Sequence, residues 1–221
     1  MLYYLKSSWI WLKRCTHSRG FGVQSPSAYR FIRYVINEHY PYYAYDDLKK
    51  HVGSLSQHEQ KMGRLFFRLA NFWQPASCYC DNPQLLEFAL AGSRKMRTGK
   101  IIEFLSDEHF LASVHHANFL DNKSHLSFNE FHASYKSRSA LSEDRILIWV
   151  DADSSVDVLD GLLPKCTSQT LLVVDGMQRK KHVLWKKIQE SNHVGITYHL
   201  YYCGIVFFDK SVYKQHYEVN F

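Results

Sequence analysis

Residues 145–150 read RILIWV and residues 170–174 read TLLVV, and these two apolar runs decide the fold. Similar short runs recur after residue 75, and longer amphipathic stretches separate them. Strands that alternate with helices of about ten residues or more predict a parallel, doubly wound α/β sheet with helices on both faces. The predicted strands are 76–80, 99–105, 124–128, 145–150, 170–174, 194–200 and 203–208, and the predicted helices are 83–92, 108–120, 154–163 and 178–190.

The end of the chain departs from this alternation. Only two residues separate the predicted strands 194–200 and 203–208. A parallel crossover needs about a dozen residues or more, so these strands are expected to pair antiparallel as a hairpin. The sequence therefore predicts a mostly parallel sheet that ends in an antiparallel hairpin.

The first third of the chain has helical rather than strand periodicity. Apolar residues recur at helical spacing within 2–12, 29–36 and 65–73, and Ser25 followed by Pro26 is typical of a helix start. No linker rich in proline, glycine or serine separates the two patterns. We therefore divide the chain into a helical extension, residues 1–74, and an α/β domain, residues 75–221.

Composition excludes several classes of protein. The chain has 221 residues, of which 46% are hydrophobic and 22% charged, as in ordinary globular proteins rather than disordered ones. Charged residues or histidines interrupt each apolar run before it reaches the roughly 20 residues of a membrane helix, and the N-terminus lacks the features of a signal peptide. Five widely spread cysteines favour a reduced, cytoplasmic protein.

Basic residues are concentrated near the N-terminus. Residues 1–40 contain six lysines and arginines and one acid, Glu38, and aromatic residues lie between the cations. Such a composition suits nucleic acid or an anionic membrane surface. We favour the alternative, in which the aromatic side chains pack on the sheet or on a second protomer while the cations face water, so a homodimer is possible.

Polar residues follow the predicted strands at the positions where open α/β sheets bind ligands. Glu103 lies 22 residues after Asp81, which is the spacing of an acid that binds a ribose hydroxyl pair. Two carboxylates at neighbouring strand ends can bind a divalent cation, but helix capping explains these residues better and no metal is expected. The candidate residues at the strand ends are Asp81, Asn82, Glu103, Asn129, Glu130, Asp151, Asp153 and Asp175.

The turn after the first predicted strand contains no glycine before Gly92. An adenosyl cofactor or dinucleotide requires glycines there, because a residue without a Cβ lets backbone N–H groups approach the ligand. Asp81 or Asn82, with Pro83 after them, instead forms a helix start. The chain also contains no P-loop and no G-x-S-x-G nucleophile motif.

Four segments carry a resemblance to a known family. They are Gly20-Phe21-Gly22-Val23-Gln24-Ser25-Pro26 with Tyr29, Pro41-Tyr42-Tyr43-Ala44-Tyr45, Gly63-Arg64-Leu65-Phe66-Phe67-Arg68-Leu69, and Gly204-Ile205-Val206-Phe207-Phe208. Over most of its length the chain resembles class I S-adenosylmethionine-dependent methyltransferases, in particular short bacterial methyltransferase-like proteins with an N-terminal helical extension.

The resemblance implies a Rossmann-like sheet of seven strands in the order 3-2-1-4-5-7-6 with the seventh antiparallel. It implies that Glu103 holds the ribose hydroxyls of S-adenosylmethionine, with Asp81, Asn82 and Asp151 completing the cofactor site. Asp175 matches the acid that ends the fifth strand. Gly176 stands where metal-dependent relatives have asparagine, which agrees with the absence of a metal.

Two functions follow from these observations. The first is an S-adenosylmethionine-dependent methyltransferase that acts on an unidentified small-molecule or protein acceptor. The second is a catalytically inactive binding or scaffold protein of the same fold, which the glycine-free turn favours. The width of the space beside Glu103 distinguishes them: an open cleft favours the enzyme and a filled one favours the binding protein.

Overall fold

The computed structural model describes residues 2–17, 20–80, 82–94, 145–152, 156–178 and 182–221. Within these residues a central β-sheet carries helices on both faces. The predicted α/β class and the two-sided covering of the sheet are therefore confirmed. The predicted strands 99–105 and 124–128 and helix 108–120 lie outside the described residues, as do Asp81, Glu103, Asn129, Glu130 and Asp153.

The described strands are β1 (Ser77–Cys80), β2 (Ile146–Asp151), β3 (Thr170–Asp175), β4 (Ile196–His199), β5 (Gly204–Phe207) and β6 (Gln215–Glu218). They form one six-stranded sheet in the order β1-β2-β3-β5-β4-β6. Three strand pairs are parallel: β1 with β2, β2 with β3, and β4 with β6. β5 is antiparallel to both of its neighbours, so the sheet is mixed. The seven-stranded order 3-2-1-4-5-7-6 stays a prediction.

The predicted hairpin is confirmed, because β4 and β5 pair antiparallel. The prediction that the sheet ends there is wrong, since β6 pairs parallel with β4 at the edge. β6 reads QHYE, and most of its side chains are exposed. An edge strand is held by its backbone ladder and needs no apolar run. A search for apolar runs therefore cannot find β6.

Seven α-helices are described, and those that start at Pro26 and Pro83 begin as the sequence predicts. Ser25 caps the helix that starts at Pro26, with its side chain accepting from the Ala28 N–H. Ser56 and Glu59 form a reciprocal capping box at the start of the longest helix. The helices are α1 (Leu2–Lys13), α2 (Pro26–Phe31), α3 (Ala44–His51), α4 (Gln57–Trp73), α5 (Pro83–Gly92), α6 (Val156–Leu162) and α7 (His182–Glu190).

Alternate residues of β2 divide the core into two layers. Leu147 and Trp149 pack with apolar residues of α2, α4 and α5, so residues before position 74 share this core with the sheet. Ile148 and Val150 face the opposite side, where residues of α6 and α7 cover them. The N-terminal helices and α5 thus occupy one face of the sheet, and α6 and α7 the other.

Candidate functional site

The turn after β1 is built to start α5. The Asn82 side-chain oxygen accepts hydrogen bonds from the backbone N–H groups of Gln84 (2.9 Å) and Leu85 (3.3 Å). Pro83 occupies the first turn of the helix. The predicted helix-capping role of Asn82 is therefore confirmed. Two N–H groups at this helix terminus, which could otherwise donate to a phosphate or carboxylate, instead donate to the Asn82 oxygen.

Asp151 and Asp175 end neighbouring strands, and their Cα atoms are register partners. Asp175 accepts a hydrogen bond from the Gly176 N–H, 2.7 Å from its Oδ1. Burial, aided by the negative charge of Asp151, raises the pKa of Asp175 to about 6. The structure thus brings two of the candidate carboxylates to one edge of the sheet. Among the described residues, no group of three His, Cys, Asp or Glu side chains could hold a metal ion there or elsewhere.

A small cavity of about 40 Å³ is bordered by Asn82, which follows β1, and by Asp175, which ends β3. The first turns of α4 form one wall of it, and α5 forms another. Ligand sites for small molecules have volumes of about 300–1,000 Å³, so this space is too small for an adenosyl group. Its lining includes Asn82, Asp175, His58, Glu59, Met62 and Phe88.

The close packing of α4 on α5 keeps this cavity small. A Cβ on Gly63 of α4 would lie 2.7 Å from the Phe88 ring of α5, so glycine is what permits the two helices to approach. The described residues around the β1 turn therefore do not fit S-adenosylmethionine. Glu103, the residue expected to bind its ribose, is outside the described residues.

A second and much larger cleft lies on the same helical face. Its volume is about 790 Å³, within the usual range for ligand sites. Its walls come from α1, from residues 36–42, from the start of α3, from the polar face of α4, and from Tyr202, Asn220 and Phe221. We call it the α4 cleft. Of the residues predicted to bind a cofactor, Asn82 and Asp151 are described, and neither lines it.

One face of α4 supplies the polar floor of this cleft. Five of its residues lie at spacings of three or four, which places them on a single stripe of the helix. The opposite stripe is apolar and buried in the sheet-facing core. The five residues of the polar stripe are Gln57, Gln60, Lys61, Arg64 and Arg68.

Arg68 is the fixed cation of the cleft. It is buried, and its guanidinium donates to the carbonyl oxygens of Val35 (2.7 Å) and Ile36 (3.0 Å). These carbonyls end a π-helical turn, Ile32–Ile36, a feature that often occurs at functional sites. A cation also interacts favourably with the negative end of a helix. Arg68 thereby holds in place residues 37–42, which form one wall of the cleft.

Lys61 and Arg64 are held over aromatic rings. The Lys61 Nζ lies 4.4 Å from the Phe221 ring centroid and 5.6 Å from that of Tyr202. The Arg64 guanidinium carbon lies 5.2 Å from the Tyr45 ring centroid. Burial, together with the positive charge of Arg68, lowers the pKa of Lys61. Such cation–π contacts direct positive charge into an aromatic-lined space.

Positive charge exceeds negative charge in the cleft. Its lining contains three cationic side chains, Lys61, Arg64 and Arg68, and two acidic side chains, Glu38 and Asp46. Within the described part of the chain, none of the three cations lies within 4.0 Å of a carboxylate. The Nδ2 donor of Asn37, which also lines the cleft, is buried without a hydrogen-bond partner. The cleft therefore presents unsatisfied donors and positive charge.

The sequence contained a partial signal for this cleft. Tyr42 and Tyr45 belong to the segment Pro41–Tyr45, and Arg64 and Arg68 to the segment Gly63–Leu69, both singled out for their resemblance. The polar stripe of α4, however, has the pattern of a solvent-facing helix surface. Only the folded chain shows that it forms the floor of a cleft.

Three comparisons with known proteins give no relative for this chain. No protein-family model, no curated protein and no solved structure matches it.

Proposed function

We propose that this chain is a catalytically inactive binding protein of methyltransferase-like fold, and that its ligand is an anionic small molecule with a planar ring. The observation that carries the proposal is the α4 cleft, with a volume of about 790 Å³ and three cations that form no ion pair within 4.0 Å among the described residues. Positive charge in a partly desolvated site favours an anion such as phosphate or carboxylate.

The aromatic side chains of the cleft support a ligand with a planar ring. Trp11, Tyr42, Tyr45, Tyr202 and Phe221 line it together with the cations. Aromatic side chains bind planar rings by offset stacking or edge contacts, with centroids about 4.5–7 Å apart. The buried Asn37 donor adds a hydrogen-bonding group for a ring heteroatom or a carbonyl.

The β1 turn supports the inactive alternative over the enzyme. Asn82 occupies the N–H groups at the start of α5, and the adjoining cavity of about 40 Å³ is too small for a cofactor. These features argue against S-adenosylmethionine as the ligand of this turn. They do not bear on the α4 cleft, which has a different lining.

The test compares ligands that share adenosine and differ in what is attached to it. We would titrate the chain by calorimetry with adenosine monophosphate, adenosine, inorganic phosphate and S-adenosylhomocysteine, and repeat the series with the other ribonucleoside monophosphates. A nucleotide is expected to bind more tightly than its nucleoside or phosphate alone, because it contacts both cations and rings. S-adenosylhomocysteine, which carries no net charge, is expected to bind weakly.

Substitutions locate the site. Lys61→Gln and Arg64→Gln are each expected to weaken nucleotide binding about tenfold, the loss of one charge-assisted hydrogen bond. Lys186→Gln is the matched control, since this exposed lysine of α7 pairs with Glu190 and does not line the cleft. Equal binding by all three variants, or no binding of any nucleotide, would remove the proposal.

The methyltransferase is the second candidate. The observation that favours it is the order of the described strands, in which the antiparallel β5 lies between β3 and β4, as the resemblance implies. Thermal unfolding with S-adenosylmethionine tests it. A ligand at about 100 times its dissociation constant adds about 2.7 kcal/mol, and the enzyme predicts this stabilisation in the natural chain and its loss in Glu103→Ala.

A further inference from the structure

α1 presents an apolar stripe to solvent. Leu5, Trp9 and Leu12 are 65%, 59% and 60% exposed. At 3.6 residues per turn they lie within about 60° of one another around the helix axis. Ile10, in contrast, is buried in the core, and Trp11, which is 57% exposed, lies on another side of the helix at the α4 cleft. We call Leu5, Trp9 and Leu12 the α1 stripe.

The N-terminal aromatic residues are expected from the sequence to pack on the sheet or on a second protomer, and only some of them pack on the sheet. Phe31 does so and is buried, but Trp9 and Phe21 are more than half exposed. The reason lies in how α1 is attached. Asn220 donates to the Trp11 carbonyl (3.1 Å), and Arg14 donates to the His199 carbonyl (2.9 Å). These polar contacts hold the helix at its inner side and leave the α1 stripe uncovered within the described residues.

One lysine, Lys13, flanks the α1 stripe. The Lys13 Nζ lies 5.0 Å from the Trp9 ring centroid. Residues 1–40 carry six basic residues against the single acid Glu38. Tryptophan and leucine next to lysine are typical of helices that lie in the headgroup region of a bilayer. Anionic lipids attract each nearby lysine or arginine with about 1 kcal/mol.

We infer that α1 binds the surface of an anionic phospholipid bilayer through Leu5, Trp9 and Leu12. The alternatives fit the same observations less well. A second copy would bring another excess of positive charge against this one, which is unfavourable without a screening partner. Nucleic acid would satisfy the cations but would leave two exposed leucines without apolar contact. No described helix is long and apolar enough to cross a membrane.

Vesicle sedimentation of the full chain tests this inference. We would compare phosphatidylcholine vesicles with vesicles that contain phosphatidylserine at about one lipid in three. The chain is expected to sediment with the anionic vesicles, less with phosphatidylcholine alone, and less as salt is added. A chain that stays in the supernatant with both vesicles at low salt overturns the inference.

Substitutions in α1 separate the apolar and electrostatic contributions. Trp9→Ala is expected to weaken partitioning about tenfold on both kinds of vesicle. Lys13→Gln is expected to weaken it about fivefold on anionic vesicles only. The matched control is Tyr213→Ala, because Tyr213 is an aromatic residue that is 92% exposed. Tyr213 lies just before the start of β6, whereas Arg14, which follows α1, contacts the other end of that strand through Glu218. Unchanged partitioning of Trp9→Ala overturns the inference.

Two further measurements exclude other readings. Thermal unfolding of Trp9→Ala is expected to match that of the natural chain, because the side chain is exposed. Brominated phosphatidylcholine in the anionic vesicles is expected to quench the tryptophan fluorescence of the natural chain more than that of Trp9→Phe. If the substitution instead converts a dimer to a monomer and quenching is absent, the α1 stripe is an interface between copies and the inference is wrong.

Discussion

The carboxyl ends of β1 and β3 and the α4 cleft differ in the space that they leave for a ligand. The ends of β1 and β3 have polar residues where open α/β sheets bind ligands, yet the cavity that the described residues form there measures about 40 Å³. The cleft measures about 790 Å³ and lies beyond the carboxyl ends of β4 and β6, which Tyr202 and Phe221 follow. The position of polar residues at strand ends is therefore a weaker guide to a site than the packing of the helices above them.

One helix, α4, borders both the small cavity and the α4 cleft. Met62 of α4 lines the small cavity, and the neighbouring Lys61 lines the cleft. Because consecutive helical residues diverge by about 100°, α4 closes one space with its apolar side and forms the floor of the other with its polar side. Substitutions along α4 and at the sheet edge therefore test the two regions separately.

Arg68→Gln should have the largest effect on stability. It removes a buried guanidinium that donates to two carbonyl groups, Val35 and Ile36. We expect a loss of about 3 kcal/mol in the free energy of unfolding, since hydrogen bonds to charged groups contribute about 1.5–3 kcal/mol each and part is regained by glutamine. Urea unfolding measures it. The exposed Arg64→Gln should cost less than about 0.5 kcal/mol, and equal losses for the two arginines would contradict the account.

Gly63→Ala tests the closure at the sheet edge. The added Cβ would meet the Phe88 ring at 2.7 Å, so α4 and α5 must separate. We expect a destabilisation of about 2 kcal/mol, typical of overpacking. Gly161→Ala in α6 is the control, because nothing lies within 4 Å of its new Cβ. That variant should gain about 0.5–1 kcal/mol. If Gly63→Ala gains as much, the two helices are not in close contact.

Asp175→Asn should change how stability depends on pH. The folded chain raises the pKa of Asp175 from 3.8 to about 6, so ionisation at neutral pH opposes folding. The neutral carboxyl group contributes its full share to the free energy of unfolding below pH 3.8, and this contribution is lost as the pH rises through about 6. Asparagine keeps a neutral group that accepts from Gly176.

The variant should therefore be more stable than the natural chain above about pH 6, on the order of 2 kcal/mol after allowance for partial exposure, and equal to it in acid. Denaturant unfolding across this range measures the difference. Asp209→Asn should show the opposite sign, because hydrogen bonds from Ser211 lower the pKa of Asp209. A constant difference at every pH would contradict the burial of Asp175.

Asn82→Ala should have the smallest effect. It removes the acceptor for the N–H groups of Gln84 and Leu85, at a cost of about 1 kcal/mol. Asn82→Gly should cost only a few tenths of a kcal/mol. Thermal unfolding of the two variants compares them. An alanine variant as stable as the natural chain would mean that the cap does not hold the turn.

Local sequence signals predicted the elements that depend on local chemistry. Pro26 and Pro83 mark helix starts with Ser25 and Asn82 as caps, and the short link before Gly204 marks a hairpin. Contacts between residues far apart in the chain could not be predicted from the sequence. Lys61 and Phe221 are far apart in the chain and come into contact only in the folded protein. β6 joins the sheet through backbone pairing with β4. The exposure of Trp9 follows from the polar attachment of α1, which periodicity does not reveal.

The indole N–H signals of the five tryptophans offer the most direct test of the central claim. Trp11 lines the α4 cleft, and Trp149 lies in β2, two residues before Asp151 at the carboxyl end of that strand. After assignment with Trp11→Phe, a titration with nucleoside monophosphates should shift the Trp11 signal and leave that of Trp149 in place, and S-adenosylhomocysteine should shift neither. A shift of Trp149 by S-adenosylhomocysteine, with Trp11 unmoved by every nucleotide, would contradict the account.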